Sequence, residues 1–300
     1  MYDIELEIPD PTRVASPGAL WSHPVVMTEA ARLQDLEPRL LVARKGQFRA
    51  AELPLYERRR LGSVTLQTAS GSYYQGLRCW HQQESPAPRR LLDELQISSA
   101  IAVWLKDRYR RLLFNLSPEN TDVRGFTWNL LKATPLYTFI QDLSLDIHPL
   151  RDEREKLRRA DERGYSFECR LDVDAFLELS DAMFERKGHH AYTRADKMKD
   201  YITSLHQAGL LEQYNVCLDK RVVSANILLS GSDDLAYTVL RASHRDEMRN
   251  GVSLWHTSQL LQSLKGRYQK LDLCGANVPE VARFKAAMGL SLVAFYRISS

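Results

Sequence analysis

Cysteine is scarce and scattered. The chain of 300 residues holds 4, Cys79, Cys169, Cys217 and Cys274, with no C-x-x-C pair among them. That spacing excludes a zinc ribbon and a disulfide framework, and it suits a reducing compartment. Long apolar runs are missing as well: none approaches the ~18 residues that a membrane-spanning helix needs. The opening residues MYDIELEIPD are acidic and lack the basic start and apolar centre of a signal peptide, so a cytoplasmic protein is expected. Neither sign of charge dominates. Lys and Arg number 41 against 38 Asp and Glu, a net charge of +3, which fits anionic substrates such as nucleotides or phosphates without requiring nucleic acid. The histidines His189, His190, His244 and His256 follow no recognised zinc spacing, so no metal is expected. There is no G-x-S-x-G elbow, no low-complexity segment and no repeat of fixed period.

What remains is an ordinary globular composition, 44% hydrophobic and 26% charged, with room for two domains of ~150 residues. The pattern alternates strands and helices, which predicts an α/β fold with mixed sheets. RLLVARKGQFRAAELPLYERR (39–59) reads as a hairpin turning at Lys45-Gly46, GSVTLQTA (62–69) as a further strand, and 91–109 as a helix. PLYTFIQDLS (135–144) is rich in β-formers. RDEREKLRRADER (151–163) is a balanced, solvated helix, with Asp152–Lys156 and Glu155–Arg159 at i,i+4. A strand (165–171) and helices over 172–188 and 197–209 follow. A hairpin then turns at Asp219-Lys220, and LAYTVLRAS (235–243) is the next strand. The helix GVSLWHTSQLLQSLKGR (251–267) comes after it.

The stretch LDLCGANVPEVARFKAAMG (271–289) is the most informative. Leu271 and Leu273 alternate with Asp272 and Cys274, the period of a strand with one buried face. Gly275 breaks it. Asn277 is a helix cap, Pro279 suits the first turn and Glu280 its positive end. Val281, Phe284 and Met288 share a helical face, Gly289 stops the helix, and SLVAFYRI (291–298) is the closing strand.

In this order the second half resembles the FemAB-like (Fem-type, BioF2-like) branch of the GNAT-superfamily acyltransferases. AYTVLRAS is similar to the family's central strand. NGVSLWHTSQLLQSLKGRYQKLDLCGA is similar to its following helix and its hydrophobic-Asp-hydrophobic-x-Gly strand. In NVPEVARFKAAMG, Phe284, Lys285 and Gly289 fit the F-K…F-G pattern. In the first half ELPLYERRRLGSVTLQTASGSYYQGL resembles the LP…G…P…Y-x-G region, and DVRGFTWNLLKATPLYTFIQDLS the segment joining the lobes. The likeness runs over roughly residues 39–298. It implies two tandem GNAT-like lobes packed around a cleft, 1–134 and 135–300. It also implies transfer of an acyl group from an activated carrier to an amine. The carrier would be acyl-CoA or another thioester, or an aminoacyl-tRNA with a peptidoglycan precursor as acceptor, and no cofactor would be permanently bound. The partner on the acceptor side would be a small-molecule or nucleotide-linked amine. Two departures stand out: the phosphate turn of GNAT domains is reduced in MRNGVS (248–253) to Gly251, and 172–210 leave no room for the long helical arm of peptidoglycan-modifying members.

Acyl transfer needs a deprotonated amine, a held carbonyl and a stabilised oxyanion. Asp272 is a general base or amine-positioning group, or simply a cap of the turn at 276–280. Lys285 offers charge to an oxyanion or carrier phosphate, or is a solvated helix lysine. Gly251 and Ser253, with Arg245 and Arg249 nearby, would cradle phosphate at a helix start. Arg124, Trp128, Tyr137, Arg241, Asn277 and Phe284 are the candidate substrate contacts, with Trp128 and Tyr137 alternatively buried at an interface. A Cys274 nucleophile would need a ping-pong mechanism and a histidine partner, which nothing in the spacing supplies. Another class of function stays open, a silent GNAT-like module that binds a nucleotide-linked or peptide ligand.

Overall fold

The computed structural model describes residues 2–12, 20–60, 62–81, 85–186, 188, 193–231 and 234–300. His189 and His190 lie outside the described residues. The chain divides into two compact units, Met1–Leu136 with Ala294–Ser300, and Tyr137–Val293.

The first unit begins with β1 (Asp3–Glu7), α1 (Pro24–Arg32), β2 (Glu37–Lys45), β3 (Phe48–Arg60), β4 (Ser63–Leu66) and β5 (Arg78–Cys79). The predicted hairpin is there: β2 and β3 pair antiparallel from Glu37↔Glu57 to Lys45↔Phe48, and Gly46 turns between them at φ +60°. The sheet order is β1-β2-β3-β4, with β5 also on β3. Next come α2 (Ala87–Arg108), β6 (Leu113–Asn115) and α3 (Arg124–Thr127). Ile97, Ile101 and Leu105 of α2 recur at helical spacing and bury against Leu41, Ala51 and Leu53 of the sheet. Glu57 is fully buried in β3 and is held by Arg39, Arg59 and the Tyr109 hydroxyl.

Strand β7 (Lys132–Asp142) leads into the second unit. There follow α4 (Arg151–Asp161), β8 (Ser166–Cys169), α5 (Val173–Arg186), α6 (Ala195–Gln207), β9 (Leu211–Leu218), β10 (Arg221–Ser230), β11 (Leu235–Ser243), α7 (Arg245–Arg249), α8 (Val252–Leu264), β12 (Lys270–Asp272), α9 (Pro279–Ala287) and β13 (Ser291–Ser299). The order β7-β12-β11-β10-β9-β8 makes a mixed sheet in which only β11 and β12 pair in parallel. Asp219 and Lys220 both take positive φ, +49° and +67°, the conformation that a tight hairpin turn requires. Nine successive residues of β10, Val222 to Ser230, are buried, as expected of a strand covered on both faces. Side chains alternate between those faces. Ser224 and Asn226 point to α8, where His256 meets Ser224. Asn215, opposite Ala225, points to the start of α5 and donates to the Arg170 carbonyl. The last residues of β13 pair with β6 in the first unit, Arg297↔Asn115 to Ser299↔Leu113.

Asp172 caps α5, accepting from the Ala175 amide at 3.1 Å. One local detail departs from the sequence reading. On α4 the ion pairs are Arg151–Glu155, Glu153–Lys156 and Arg158–Glu162 rather than the two expected, because several partners at i±3 and i±4 compete on a helix this densely charged.

Candidate functional site

The second unit is opened at one point by its own topology. Parallel strands β11 and β12 pair only from Leu235↔Lys270 to Tyr237↔Asp272. Strand β11 runs on to Ser243, whereas the chain after Asp272 no longer pairs with it and keeps a backbone bond to β7, from the Leu273 amide to the Phe139 carbonyl. Next to that divergence β11 carries a bulge: Ile227 pairs with Leu240 and Leu228 with Thr238, so Val239 is the extra residue. The two strands therefore separate, and chemistry-bearing side chains cluster around the gap.

Asp272 is the last residue of β12 and is fully buried. Its Oδ1 accepts from Thr138 Oγ1 at 2.5 Å and from the Cys274 amide at 2.8 Å. It thus caps the turn immediately after the strand, not the stretch at 276–280. That turn is tightly wound, with φ +39° at Cys274 and +75° at Gly275. A non-glycine residue in this region is uncommon and is held by its surroundings.

The chief of those surroundings is Lys285. It is 7% exposed, so it is no solvated helix lysine. Its Nζ donates to the carbonyls of Leu273 at 2.7 Å and Gly275 at 2.6 Å, and to that of Cys274. All three ammonium hydrogens therefore grip one turn. Burial lowers its pKa to about 8, with a further push from the Arg241 charge and against the attraction of Asp272. The Cys274 thiol is pushed well up, by burial and then by Asp272. It stays protonated at neutral pH, which removes the thiolate that a ping-pong mechanism would need.

Asn277 does not cap α9. Val278 stands at that position, and Pro279 begins the helix. The Asn277 amide instead brackets Tyr137: its Oδ1 accepts from the Tyr137 amide and its Nδ2 donates to the Tyr137 carbonyl, both at 3.0 Å. The Asp272 and Asn277 contacts thus fasten the turn to β7 at Thr138 and Tyr137. Phe284 is half-buried against the apolar core that contains Leu271, Leu273 and Met288.

Arg241 lies on β11 opposite Asn226. Its Nη1 donates to Thr257 Oγ1 at 2.7 Å. Burial lowers its pKa to about 10, still charged at neutral pH. His256, fully buried in α8, has Nδ1 2.8 Å from Ser224 Oγ and its ring edge-on to Phe167 at 5.8 Å. Its pKa is pushed well below the ordinary value, first by burial and then by the Arg241 charge, so the ring is neutral. Nothing in the sequence pattern singled out Asn226, Thr257 or Thr138, and His256 stood out only as one of four histidines without zinc spacing.

The candidate phosphate cradle is at the start of α8. Gly251 precedes the helix at φ +86°, with Arg245 and Arg249 exposed on α7. Helix α7 is anchored by Glu247, which accepts from Arg163 at 3.1 Å and from the Tyr165 hydroxyl at 2.5 Å. Ser253 reaches inward to Ser243 at 3.4 Å. Arg124 and Trp128 belong to the first unit. Arg124 is ion-paired with Asp122 at 2.7 Å and lies 5.6 Å over the Trp128 ring. Trp128 is 63% exposed and Tyr137 42%, so neither is buried interface core. The structure thus gathers Asp272, Lys285, Asn277, Tyr137 and Arg241 within the second unit. No group of three or more His, Cys, Asp or Glu among the described residues could hold a metal ion. No helix among the described residues is long and apolar enough to cross a membrane.

Residues 149–286 match the protein-family profile described as an acetyltransferase (GNAT) domain. The fold is similar to that of FemX, 14% identical, with 90% of each chain covered and a TM-score of 0.64. It is similar to the C-terminal domain assigned to a lysylphosphatidylglycerol synthetase from Agrobacterium fabrum, 16% identical, with 92% of this chain and 89% of that one covered and a TM-score of 0.61. A third similar structure is a tandem GNAT protein from the clavulanic acid biosynthesis pathway, 11% identical, with 96% and 89% covered and a TM-score of 0.53. No curated protein sequence matches this one.

Proposed function

We propose that the chain is a FemAB-like acyltransferase of the GNAT type, a reading supported by the GNAT domain match over 149–286 and the FemX-like fold, and that it moves an acyl group from an acyl thioester such as acyl-CoA to the nitrogen of an amine acceptor. The acceptor class we favour is an amino sugar or related amine of envelope or surface-polysaccharide synthesis. The observation that carries the reading is the parting of β11 and β12 beside buried Asp272 and Lys285. A gap between parallel strands offers unpaired backbone donors and acceptors to an extended thioester arm, as an edge strand does.

In the reaction the amine attacks the acyl carbon. A C–N bond forms, the C–S bond breaks, the thiol leaves and the amine gives up a proton. Asp272 and Lys285 act as positioning residues. They hold the turn Leu273–Gly275 from its amide side and its carbonyl side, and the Lys285 ammonium adds positive field where the oxyanion develops. Gly251 and the α8 N-terminus, with Arg245, Arg249 and Ser253, would receive the carrier's phosphates. Tyr137, Arg241, Asn277 and Phe284 of the second unit remain the proposed substrate contacts.

The test is turnover with acetyl-CoA and longer acyl-CoAs against a panel of amines, alongside melting temperature. Acyl-CoA is expected to raise the melting temperature by mass action and to support thiol release with an amine. A shift with charged tRNA alone would move the donor to the aminoacyl class. No transfer with any donor would leave a binding module.

A further inference from the structure

The cluster around Arg241 contains more polar atoms than the protein itself satisfies. Arg241 and Ser243 of β11 stand opposite Asn226 and Ser224 of β10 on one face of the sheet. Ser224 Oγ lies 2.8 Å from both Ser243 Oγ and His256 Nδ1. Arg241 engages Thr257 through Nη1, and Thr257 in turn donates to the Ser253 carbonyl at 2.8 Å. Four atoms are then left over. Arg241 Nε, Arg241 Nη2, His256 Nε2 and Asn226 Oδ1 are all shut off from solvent with no hydrogen-bond partner. Buried polar groups are almost always paired, and an unpaired buried charge is the costliest exception. A guanidinium cannot escape by losing its proton. Among the described residues Arg241 forms no ion pair; Lys285, whose pKa its charge lowers, is a second cation.

The free edge has a particular shape. With Nη1 occupied, Nε–H and Nη2–H remain as two parallel donors in one plane. This is the fork that meets both oxygens of a carboxylate side-on. His256 is neutral; when Nδ1 accepts from Ser224, Nε2 carries the hydrogen and supplies a third donor. Arg241 as a whole is only part-buried, so the fork lies just beneath the surface.

We propose that Arg241, with His256 beside it, is the receptor for a carboxylate on the substrate of this acyltransferase. The proposal rests on the acyl-transfer reading for its substrate and on geometry alone for its binding chemistry. A single fork with neutral neighbours suits a planar monoanion. A phosphate, with more charge and three terminal oxygens, calls for more donors.

The experiment measures the melting temperature of the full chain in sodium acetate, sodium N-acetylglycinate, sodium phosphate and sodium chloride at matched ionic strength. Wild type, Arg241→Met and Arg241→Lys are compared, the last keeping the charge but not the fork. The carboxylates are expected to raise the wild-type melting temperature by about 2–4 °C over chloride, with no such rise for phosphate. Both variants should lose the shift, and Arg241→Met should melt above wild type in chloride, since an uncompensated buried charge is gone. Identical wild-type melting in carboxylate and chloride would overturn the proposal. So would an equal shift in phosphate, or a carboxylate shift that survives in Arg241→Met or Arg241→Lys. If Arg241→Met does not fold, wild type and Arg241→Lys decide alone. Acyl transfer without carboxylate binding would sink this inference and spare the function; carboxylate binding without transfer would do the reverse.

Discussion

Lys285 grips three backbone carbonyls from a buried position, and that arrangement makes two predictions at the scale of one residue. Replacing it with Met leaves those acceptors without their donor. An unsatisfied buried acceptor costs about 1–3 kcal/mol, and the turn will relax toward water, so Lys285→Met is expected to lose about 2–4 kcal/mol in a urea titration. An unchanged midpoint would mean the turn does not depend on the lysine. The second prediction concerns pH. The folded pKa is lowered to about 8, below the ordinary lysine value of 10.5. Between those values the unfolded chain binds more protons than the folded one, so this group's contribution to stability rises with pH across that window. The activity that depends on its ammonium should instead fall as pH passes about 8. Opposite trends in turnover and melting temperature would separate the charge from the fold, and activity still climbing at pH 9 would refute an ammonium role. Lys285 was legible as a candidate only through the resemblance, whose F-K…F-G pattern it matches; local sequence alone reads as a solvated helix lysine. What it touches was not legible, since its partners are carbonyls and every residue type carries one.

Elements set the next scale, and glycines mark where they join. Gly251 and Gly289 both sit at positive φ, +86° and +81°. Their surroundings differ. An added Cβ at Gly251 would rest 3.4 Å from Ala160 and from the Lys156 carbonyl, an ordinary contact; at Gly289 it would lie 2.7 Å from the His148 carbonyl oxygen. Gly251→Ala is therefore expected to cost about 1–2 kcal/mol, the left-handed backbone term alone. Gly289→Ala should cost more, because the backbone at His148 must also move. Denaturant midpoints in the reverse order would discredit the steric argument. Element positions were readable from period and punctuation: the hairpin turns at Gly46 and at Asp219-Lys220, and the helix stop at Gly289, needed only local chemistry. Caps and pairs were less readable. Asn277 looked like a cap because Asn caps helices locally, yet its amide found the backbone of Tyr137, 140 residues away. Long-range partners of that kind depend on which strands become neighbours, and β7 joins β12 only through the fold.

At the scale of the molecule, the order of elements was sufficient to suggest two GNAT-like halves, because many weak matches in sequence constrain topology together. The polar row of Ser224, Asn226, Arg241 and His256 stayed hidden. It is assembled from β10, β11 and α8, and each residue alone reads as an ordinary strand or helix position. Charge is the property of the whole chain that bears on its donor. The net charge of +3 comes from 41 basic and 38 acidic residues, so the two signs nearly cancel, and some arginines sit beside acids, as Arg163 does beside Glu247 and Arg124 beside Asp122. A chain so nearly balanced gives a polyanion little net attraction beyond the phosphates it contacts directly. Affinity for acyl-CoA should therefore fall only gently with salt, with a slope of log affinity against log salt of about −2 to −3, for a ligand with a few phosphate charges. A tRNA donor engaging six or more phosphates would give a slope steeper than about −4. Binding isotherms for both ligands between 50 and 300 mM salt distinguish the cases. A shallow acyl-CoA slope with tRNA binding lost at moderate salt fits a thioester donor. Tight tRNA binding with a steep slope and no measurable acyl-CoA binding would move the chain to the aminoacyl-transfer class.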